Sequence, residues 1–240
     1  MSVKHFKYMT ISVISILLFH HCRPSKRDIR NFYFPLTSLQ QPFIYEYRSK
    51  NNDSLPPFYC QMQTTQKGDS LFLTTTTYGA DFETLQFDRE LQTPYGMLLK
   101  ELFQYVPDKT GKRIQNPTKI HSGNAFPYQI TDSKGIFVYN ISWKSAVDTT
   151  QYNIIRNRRF GGDTTWTFQG KTYPAIWFHL REVRERDNNG RTSVEFHGKE
   201  VFAKEIGLVY VRRAAKGYLI EYELKDKYDM KTVEQKFQKK

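Results

Sequence analysis

The chain alternates apolar and polar side chains with a period of two from residue 32 almost to its end. The clearest stretch is YLIEYEL near the C-terminus, in which Tyr218, Ile220 and Tyr222 share one face. Glu221 and Glu223 share the other face. Such alternation is typical of antiparallel strands that turn one side to the core and the other to water.

Similar alternation recurs in ten further segments, and turn-forming Gly, Asp and Asn residues separate many of them. Short connections favour pairing between strands that are neighbours in sequence. The pattern contains no long helical crossovers, which argues against a parallel α/β fold. The predicted strands besides 218–224 are 43–48, 58–64, 70–77, 81–87, 135–144, 152–160, 164–168, 172–184, 193–204 and 208–213.

Three segments depart from simple alternation. Residues 98–106 fit helical spacing and strand alternation almost equally well, and residues 107–125 resemble a loop. Residues 229–240 fit either a short helix or a basic C-terminal tail. These patterns predict a single, mainly β domain over residues 32–228, with one or two short helices.

The N-terminus has the layout of a secretion signal. Lys4, His5 and Lys7 form a short basic region, and the apolar stretch MTISVISILLF follows it. That stretch is shorter than the roughly 20 apolar residues that a membrane-spanning helix needs. We therefore predict that residues 1–21 are a cleaved signal peptide and that the protein is exported.

Cys22 follows the apolar stretch directly, at the position where bacterial lipoproteins carry their lipid-bearing cysteine. The resemblance is one of position, because Phe19, His20 and His21 replace the aliphatic and small residues of the usual lipobox. It implies lipid attachment at Cys22. The alternative is that Cys22 is free or forms a disulfide bond with Cys60, since exported proteins tend to pair their cysteines.

Residues 22–31 (CRPSKRDIRN) are polar and charged and predict a flexible tether. Surface-exposed lipoproteins of the Bacteroidota often carry acidic residues after the cysteine, whereas this tether is basic. The resemblance therefore implies an outer-membrane lipoprotein that faces the periplasm. Cys60 shares a face with Phe58 and Met62 in a predicted strand, so we expect a small buried side chain there.

Composition supports this interpretation. Aromatic residues make up 15% of the chain, and they favour strands and supply large apolar surfaces. The formal net charge is +12, and a chain that starts at Cys22 carries +10, because residues 1–21 contain Lys4 and Lys7 but no carboxylate. A basic surface attracts anions, but no helix-turn-helix, zinc-finger or RNA-binding signature is present, so we expect no nucleic-acid partner.

Residues 163–213 contain two distinctive stretches, TTWTFQGKTYPAIWFHLREV and FHGKEVFAKEIGLVYVRR. The second resembles a strand–turn–strand element of uncharacterised Bacteroidota lipoproteins and of DUF3108-type periplasmic proteins, whose fold is akin to the lipoprotein carriers LolA and LolB. The residues that carry the resemblance are Lys199, Glu200, Phe202, Ala203, Ile206, Gly207, Leu208, Val209 and Tyr210.

This resemblance implies a strongly curved antiparallel sheet, a LolA-like half-barrel whose hollow holds an apolar ligand such as an acyl chain. Large aromatic side chains are the first candidates to line the hollow. The alternative is that they fill an ordinary core. The candidates are Trp143, Trp166, Trp177, Phe178 and Tyr222.

Six arginines on neighbouring predicted strands are candidates for one basic surface that contacts an anionic leaflet or lipopolysaccharide. A plain solvated face is the alternative. The six are Arg156, Arg158, Arg159, Arg181, Arg184 and Arg186.

No catalytic, metal-binding or nucleotide-binding motif is apparent. His121, His179 and His197 are separated and lack metal-ligand spacing, so we expect no metal and no cofactor. Acidic pairs of the kind that glycosidases use occur without a supporting pocket signature. These pairs are Glu195 with Glu200 and Asp81 with Glu83.

Together, these observations predict a non-enzymatic cell-envelope lipoprotein that binds lipid or another hydrophobic ligand in a curved β sheet. Its expected partners are the membrane, through the lipid anchor, and a lipid or an envelope protein. Two alternatives remain at this level: a structural or assembly partner of an envelope protein complex, and a glycan or lipid hydrolase.

Overall fold

A computed structural model describes residues 26–52, 54–131 and 135–237. The described residues form fifteen strands, two 3-10 helices and one α-helix. The elements are β1 (Arg27–Asp28), η1 (Arg30–Phe32), η2 (Leu36–Leu39), β2 (Phe43–Ser49), β3 (Phe58–Lys67), β4 (Ser70–Tyr78), β5 (Thr84–Thr93), β6 (Gly96–Pro107), β7 (Arg113–Pro117), β8 (Lys119–Pro127), β9 (Gln129–Ile130), β10 (Ile136–Lys144), β11 (Gln151–Phe168), β12 (Lys171–Asp187), β13 (Arg191–Ala203), β14 (Gly207–Ala215), β15 (Tyr218–Asp229) and α1 (Met230–Phe237).

Twelve of these strands close into an antiparallel barrel. Their order is β5-β4-β3-β2-β15-β14-β13-β12-β11-β10-β8-β6, and β6 pairs with β5 to complete the circle. β7 lies beside the second half of β6, and β1 pairs with β9 in a separate two-stranded sheet. The prediction of a mainly antiparallel β fold is confirmed.

The predicted half-barrel is wrong, because the sheet closes. Closure depends on β6, the segment whose pattern fitted helix and strand almost equally well. Residues 96–104 pair with β5 along one side, and residues 96–98 pair with β8 on the other. Register shifts at Arg89/Glu90 and Met97/Leu98 add local twist at this seam.

Two other ambiguous segments are also resolved. Most of the loop-like stretch 107–125 belongs to β7 and β8. The C-terminal segment forms α1, whose Met230 and Val233 pack on an outer cluster of Ile44, Tyr59 and Tyr228. No helix within the described part of the chain has the length and apolar character to cross a membrane.

Residues 26–40, here called the plug, lie across one end of the barrel. Ile29 and Leu39 of the plug are fully buried in the main core. The Thr64 hydroxyl group on β3 donates a hydrogen bond to the Leu36 carbonyl oxygen at 2.8 Å. We call this end the plug end, and the opposite end, where β11 begins and β12 ends, the cup end.

Candidate functional site

Alternation along the strands turns one side chain in two towards the barrel interior, and the middle of that interior is charged. Arg158 on β11 donates from Nε to Glu200 Oε2 at 2.6 Å and from Nη1 to the Ala125 carbonyl oxygen at 2.8 Å. Both side chains of this ion pair are buried. A buried ion pair needs such additional hydrogen bonds to offset the cost of removing its charges from water.

Glu182 on β12 is the centre of a second buried group. It is fully buried and accepts hydrogen bonds from Nε of Arg156 at 2.5 Å and from Nε of Arg184 at 2.7 Å. Arg213 Nε lies 3.3 Å away. Burial alone would raise the pKa of Glu182, but the three guanidinium groups hold it well below its usual range.

Two carboxyl groups on β5 lie on the opposite wall. Burial raises the pKa of Asp88 to about 6 and that of Glu90 to about 8. Asp88 accepts a hydrogen bond from Gln86 Nε2 at 2.9 Å, and Glu90 accepts one from the Tyr33 hydroxyl group of the plug. No salt bridge between described residues joins either carboxyl group to an arginine.

Above the charged layer, the cup end contains a cavity of about 620 Å³, here called the cup. This volume lies within the range of roughly 300–1,000 Å³ that is usual for small-molecule sites. Trp143 and Tyr152 stack in its wall with ring centroids 5.0 Å apart and planes 14° apart. The apolar lining is Tyr139, Ile141, Trp143, Tyr152, Ile154 and Val194, and the polar lining includes Gln86, Gln104, Arg156, Arg184, Glu185 and Arg186.

The five predicted lining aromatics do not gather in one hollow. Trp143 lines the cup, whereas Phe178 is fully buried in the main core. Trp177 lies on the opposite face of β12 from Phe178, and Trp166 packs near it against Tyr210, with centroids 5.4 Å apart. The fifth, Tyr222, packs edge-on against Phe58 and donates a hydrogen bond to the Pro56 carbonyl oxygen at 2.9 Å.

The six predicted arginines do not form one surface either. Arg156, Arg158 and Arg184 contribute to the charged groups described above, and Arg186 lines the cup. Arg159 and Arg181 lie on the outer face of the same strands, and Arg181 pairs with exposed Glu195. The physical reason is strand periodicity, since odd and even positions point to opposite faces.

The candidate histidines do not form one cluster, because His121 lies on β8 whereas His179 and His197 are diagonal neighbours on β12 and β13. Of the acidic pairs, Asp81 and Glu83 are in contact, since the Asp81 backbone N–H donates to Glu83 Oε2 at 3.2 Å. Glu195 lies on the outer face with Arg181 and His197, whereas Glu200 faces the interior. Among the described residues, no group of three His, Cys, Asp or Glu side chains could hold a metal ion. Cys22 lies outside the described residues. Cys60 is buried, with Sγ 3.7 Å from the Thr77 hydroxyl oxygen.

The interior charged residues were not anticipated from sequence, although a signal for them exists. On β11, residues 152, 154, 156 and 158 share the inward face, so Tyr, Ile, Arg and Arg alternate with outward residues. On β12, Glu182, Arg184 and Arg186 share that face as well. Arginine and glutamate at every second position of adjacent strands indicate a polar interior once the inward face is known.

Comparison with known proteins identifies proteins of similar fold but does not assign the chain to a family. No family model matches the chain, and no curated protein matches its sequence. One similar solved structure, from Parabacteroides distasonis, is provisionally named a lipoprotein. It is 11% identical with a TM-score of 0.56, and the match covers 82% of this chain and 98% of that one.

A second similar structure, from Bacteroides fragilis, is provisionally named an exported protein with a YmcC-like fold. It is 11% identical with a TM-score of 0.51, and the match covers 82% of this chain and 99% of that one. The finer resemblance to DUF3108-type proteins stays a prediction. At these identities the likeness is one of fold, and the chain therefore shares a YmcC-like fold with proteins of the Bacteroidales.

Proposed function

We propose that this chain is an exported, non-enzymatic envelope lipoprotein that holds a hydrophobic or amphipathic ligand in the cup. The observation that carries the proposal is the cavity of about 620 Å³ at the open end of a barrel whose other end is plugged. The stacked Trp143 and Tyr152 rings give the cavity a large apolar wall, as is usual in binding sites for small organic molecules.

Export and lipid attachment are supported by the basic-then-apolar N-terminus and by the position of Cys22. Both fold neighbours are provisionally named as lipoprotein or exported protein, which agrees with this location. Intact mass measurement of the protein extracted from membranes tests the anchor. A diacylglyceryl adduct at Cys22 is expected, and an unmodified N-terminus or a Cys22–Cys60 disulfide bond would contradict it.

The anchor also suggests an orientation. Cys22 precedes Lys26 by four residues, which span at most about 14 Å when fully extended. Lys26 adjoins β1 at the plug end. A lipid on Cys22 would therefore keep the plug end next to the bilayer, and the cup would open away from it. We propose that this bilayer is the outer membrane and that the cup faces the periplasm.

Native mass spectrometry of protein purified in mild detergent from its own membranes tests ligand binding. We expect a bound organic species that is lost from Trp143→Ala, because this change removes half of the stacked pair. Trp177→Ala is the matched control, since Trp177 lies on the outer face. Ligand-free wild type, or equal loss from both variants, would refute binding in the cup.

A second candidate function is assembly with another envelope protein, and one observation favours it. Apolar side chains are exposed around the cup end, on the β10–β11 and β14–β15 connections and on the flanking strands. Photo-crosslinking from position 218 in intact cells tests this candidate, with position 95 at the plug end as the control. The exposed residues at the cup end are Val147, Val194, Tyr218 and Leu219, whereas Tyr95 and Ile136 are exposed towards the plug end.

A further inference from the structure

The cup has an apolar side and a basic side, and strand register determines both. Three inward rows run across β10, β11 and β12. The row nearest the mouth contains Trp143, Tyr152 and Arg186. The next contains Ile141, Ile154 and Arg184, and the deepest contains Tyr139, Arg156 and Glu182. In the two outer rows, β10 and β11 therefore supply apolar side chains and β12 supplies arginines.

Positive charge exceeds negative charge in this lining. Arg156, Arg184 and Arg186 line the cup, and Glu185 is the acidic residue that accompanies them. The Glu185 carboxylate already accepts hydrogen bonds from Asn153 at 2.9 Å and from Arg191. It is therefore occupied by partners other than the three lining arginines.

The layer beneath the lining does not compensate the excess. Glu182 is shared by Arg156, Arg184 and Arg213, and Glu200 pairs with Arg158 and lies 3.7 Å from Arg213. The layer therefore has two carboxylates for four guanidinium groups. Burial lowers the pKa of Arg213 to about 10, and the neighbouring Arg156 charge acts in the same direction, whereas Glu182 opposes it. Partly desolvated cations that lack counter-charges are costly, and an anion placed beside them recovers that cost.

The arginines also retain donors for such an anion. The hydrogen bonds between described residues use only Nε of Arg156 and only Nε of Arg184. Arg186 forms no salt bridge with any residue that the structure describes. Guanidinium groups bind carboxylate and phosphate oxygens through paired N–H donors, which gives both affinity and orientation.

We propose that the cup takes a single-chain amphipath whose head carries a carboxylate or phosphate group. The head pairs with Arg184 and Arg186, and the apolar part packs on the Trp143 and Tyr152 side. This inference rests on the proposed function, since it names the class of ligand that the cup accepts.

Calorimetric titration of the purified full-length protein with three twelve-carbon probes below their micelle concentrations tests the inference. The probes are dodecanoate, dodecyl phosphate and neutral monododecanoylglycerol. We expect at least one of the two anions to bind roughly tenfold more tightly than the neutral probe, because hydrogen bonds between ionised groups are stronger than those between neutral groups. Inorganic phosphate is added as a competitor to separate a free anion from a lipid head.

Variants assign the preference to the basic side. Arg184→Gln with Arg186→Gln should reduce anion affinity to that of the neutral probe. Arg159→Gln with Arg181→Gln removes the same charge from the outer face of β11 and β12 and should leave the preference intact. Arg186→Gln alone should lower anion affinity several-fold while leaving the Glu182 group untouched, so it serves if the double variant fails to fold.

Equal affinity for all three probes would overturn the inference and leave the proposed function standing. Equal loss in the outer-face variant would also overturn it, because general charge attraction would then explain the preference. If inorganic phosphate displaces dodecyl phosphate at equal concentration, the apolar chain contributes nothing to binding. The proposal that the ligand is an amphipath would then be wrong. Absence of binding by all three probes, with no ligand on the native protein, would refute the proposed function itself.

Discussion

Tyr33 donates a hydrogen bond from its hydroxyl group to the Glu90 carboxyl group, which links the plug to the inner wall of the barrel. Tyr33 is buried and Glu90 is half-buried, and the pKa of Glu90 is raised to about 8 by burial and by the nearby Asp88. The folded protein therefore favours the protonated form of Glu90 at neutral pH.

This pKa predicts a pH-dependent stability. Because the folded pKa of Glu90 exceeds its unfolded value, the folded state binds more protons between about pH 4.5 and 8. Protonated Glu90 therefore makes its full contribution to the free energy of unfolding below about pH 4.5, and this contribution is lost as the pH rises through about 8. Glu90→Gln should flatten the profile, with a difference from wild type of about 1–2 kcal/mol between pH 5 and 8.5.

Urea unfolding at several pH values measures this effect. Glu101→Gln is the matched control, because Glu101 pairs with Arg89 and its side chain is 40% exposed. Parallel stability profiles for wild type and Glu90→Gln would contradict the prediction.

Removing the carboxylate of Glu182 should be among the most damaging single changes in this barrel. Glu182→Ala leaves Arg156, Arg184 and Arg213 close together without their shared counter-charge. We expect a loss of about 3–5 kcal/mol in the free energy of unfolding. Glu195→Ala removes the partner of Arg181 in a solvent-exposed pair, where screening by water makes the interaction weak, and should leave the urea midpoint nearly unchanged. Similar urea midpoints for the two variants would disprove the special role of Glu182.

Gly198 lets β13 and β14 approach closely. A Cβ atom added there would lie 1.7 Å from the Arg212 carbonyl oxygen, so the backbone would have to move. Gly198→Ala should therefore destabilise the fold by about 1–3 kcal/mol, as overpacking usually does. At Gly135 an added Cβ would make an ordinary 3.6 Å contact with Phe137, so Gly135→Ala should change stability by less than about 0.5 kcal/mol. Thermal unfolding of both variants checks the contrast.

Cys60 should resist thiol reagents in the folded protein. Burial raises the pKa of its thiol to about 12, so the reactive thiolate is scarce at pH 8. With Cys22→Ser, we expect no reactive thiol in buffer and one in 6 M urea. In the natural sequence, lipid at Cys22 predicts the same counts, whereas a free Cys22 adds one thiol in both conditions. Rapid labelling of Cys60 in buffer would contradict the burial of its thiol.

Strand periodicity carried most of the fold information that the sequence contains. The alternation at 218–224 and in most of the other predicted segments corresponds to strands of the barrel, because a half-buried strand needs period-two patterning. The separation of 152–160 from 164–168 is wrong, since both belong to β11, with a register shift at Phe160/Gly162 where the glycines indicate a turn, and the predicted strand 81–87 begins only at Thr84. Barrel closure was not predictable in the same way. It depends on pairing between β5 and β6 and on register shifts, and a local pattern encodes neither.

The candidate site was harder to predict for a different physical reason. Side-chain size groups Trp143 with Trp177, but the two lie on different faces of the barrel wall. Charge alone predicts that arginines lie on the surface, but Arg156 and Arg158 form ion pairs inside the barrel. Which face points inward follows only when the whole sheet is assembled.

Closure of the barrel also limits how this protein can meet another chain. In an open sheet, outer strands carry unpaired backbone N–H and C=O groups, and these recruit extended peptides or further copies of the same chain. Each of the twelve barrel strands pairs on both sides for part of its length. Association by strand addition is therefore suppressed wherever the wall strands pair on both sides. Within the described part of the chain, β7 pairs only with β6 and residues 191–196 of β13 pair only with β12, so an extended peptide could still add at these two edges.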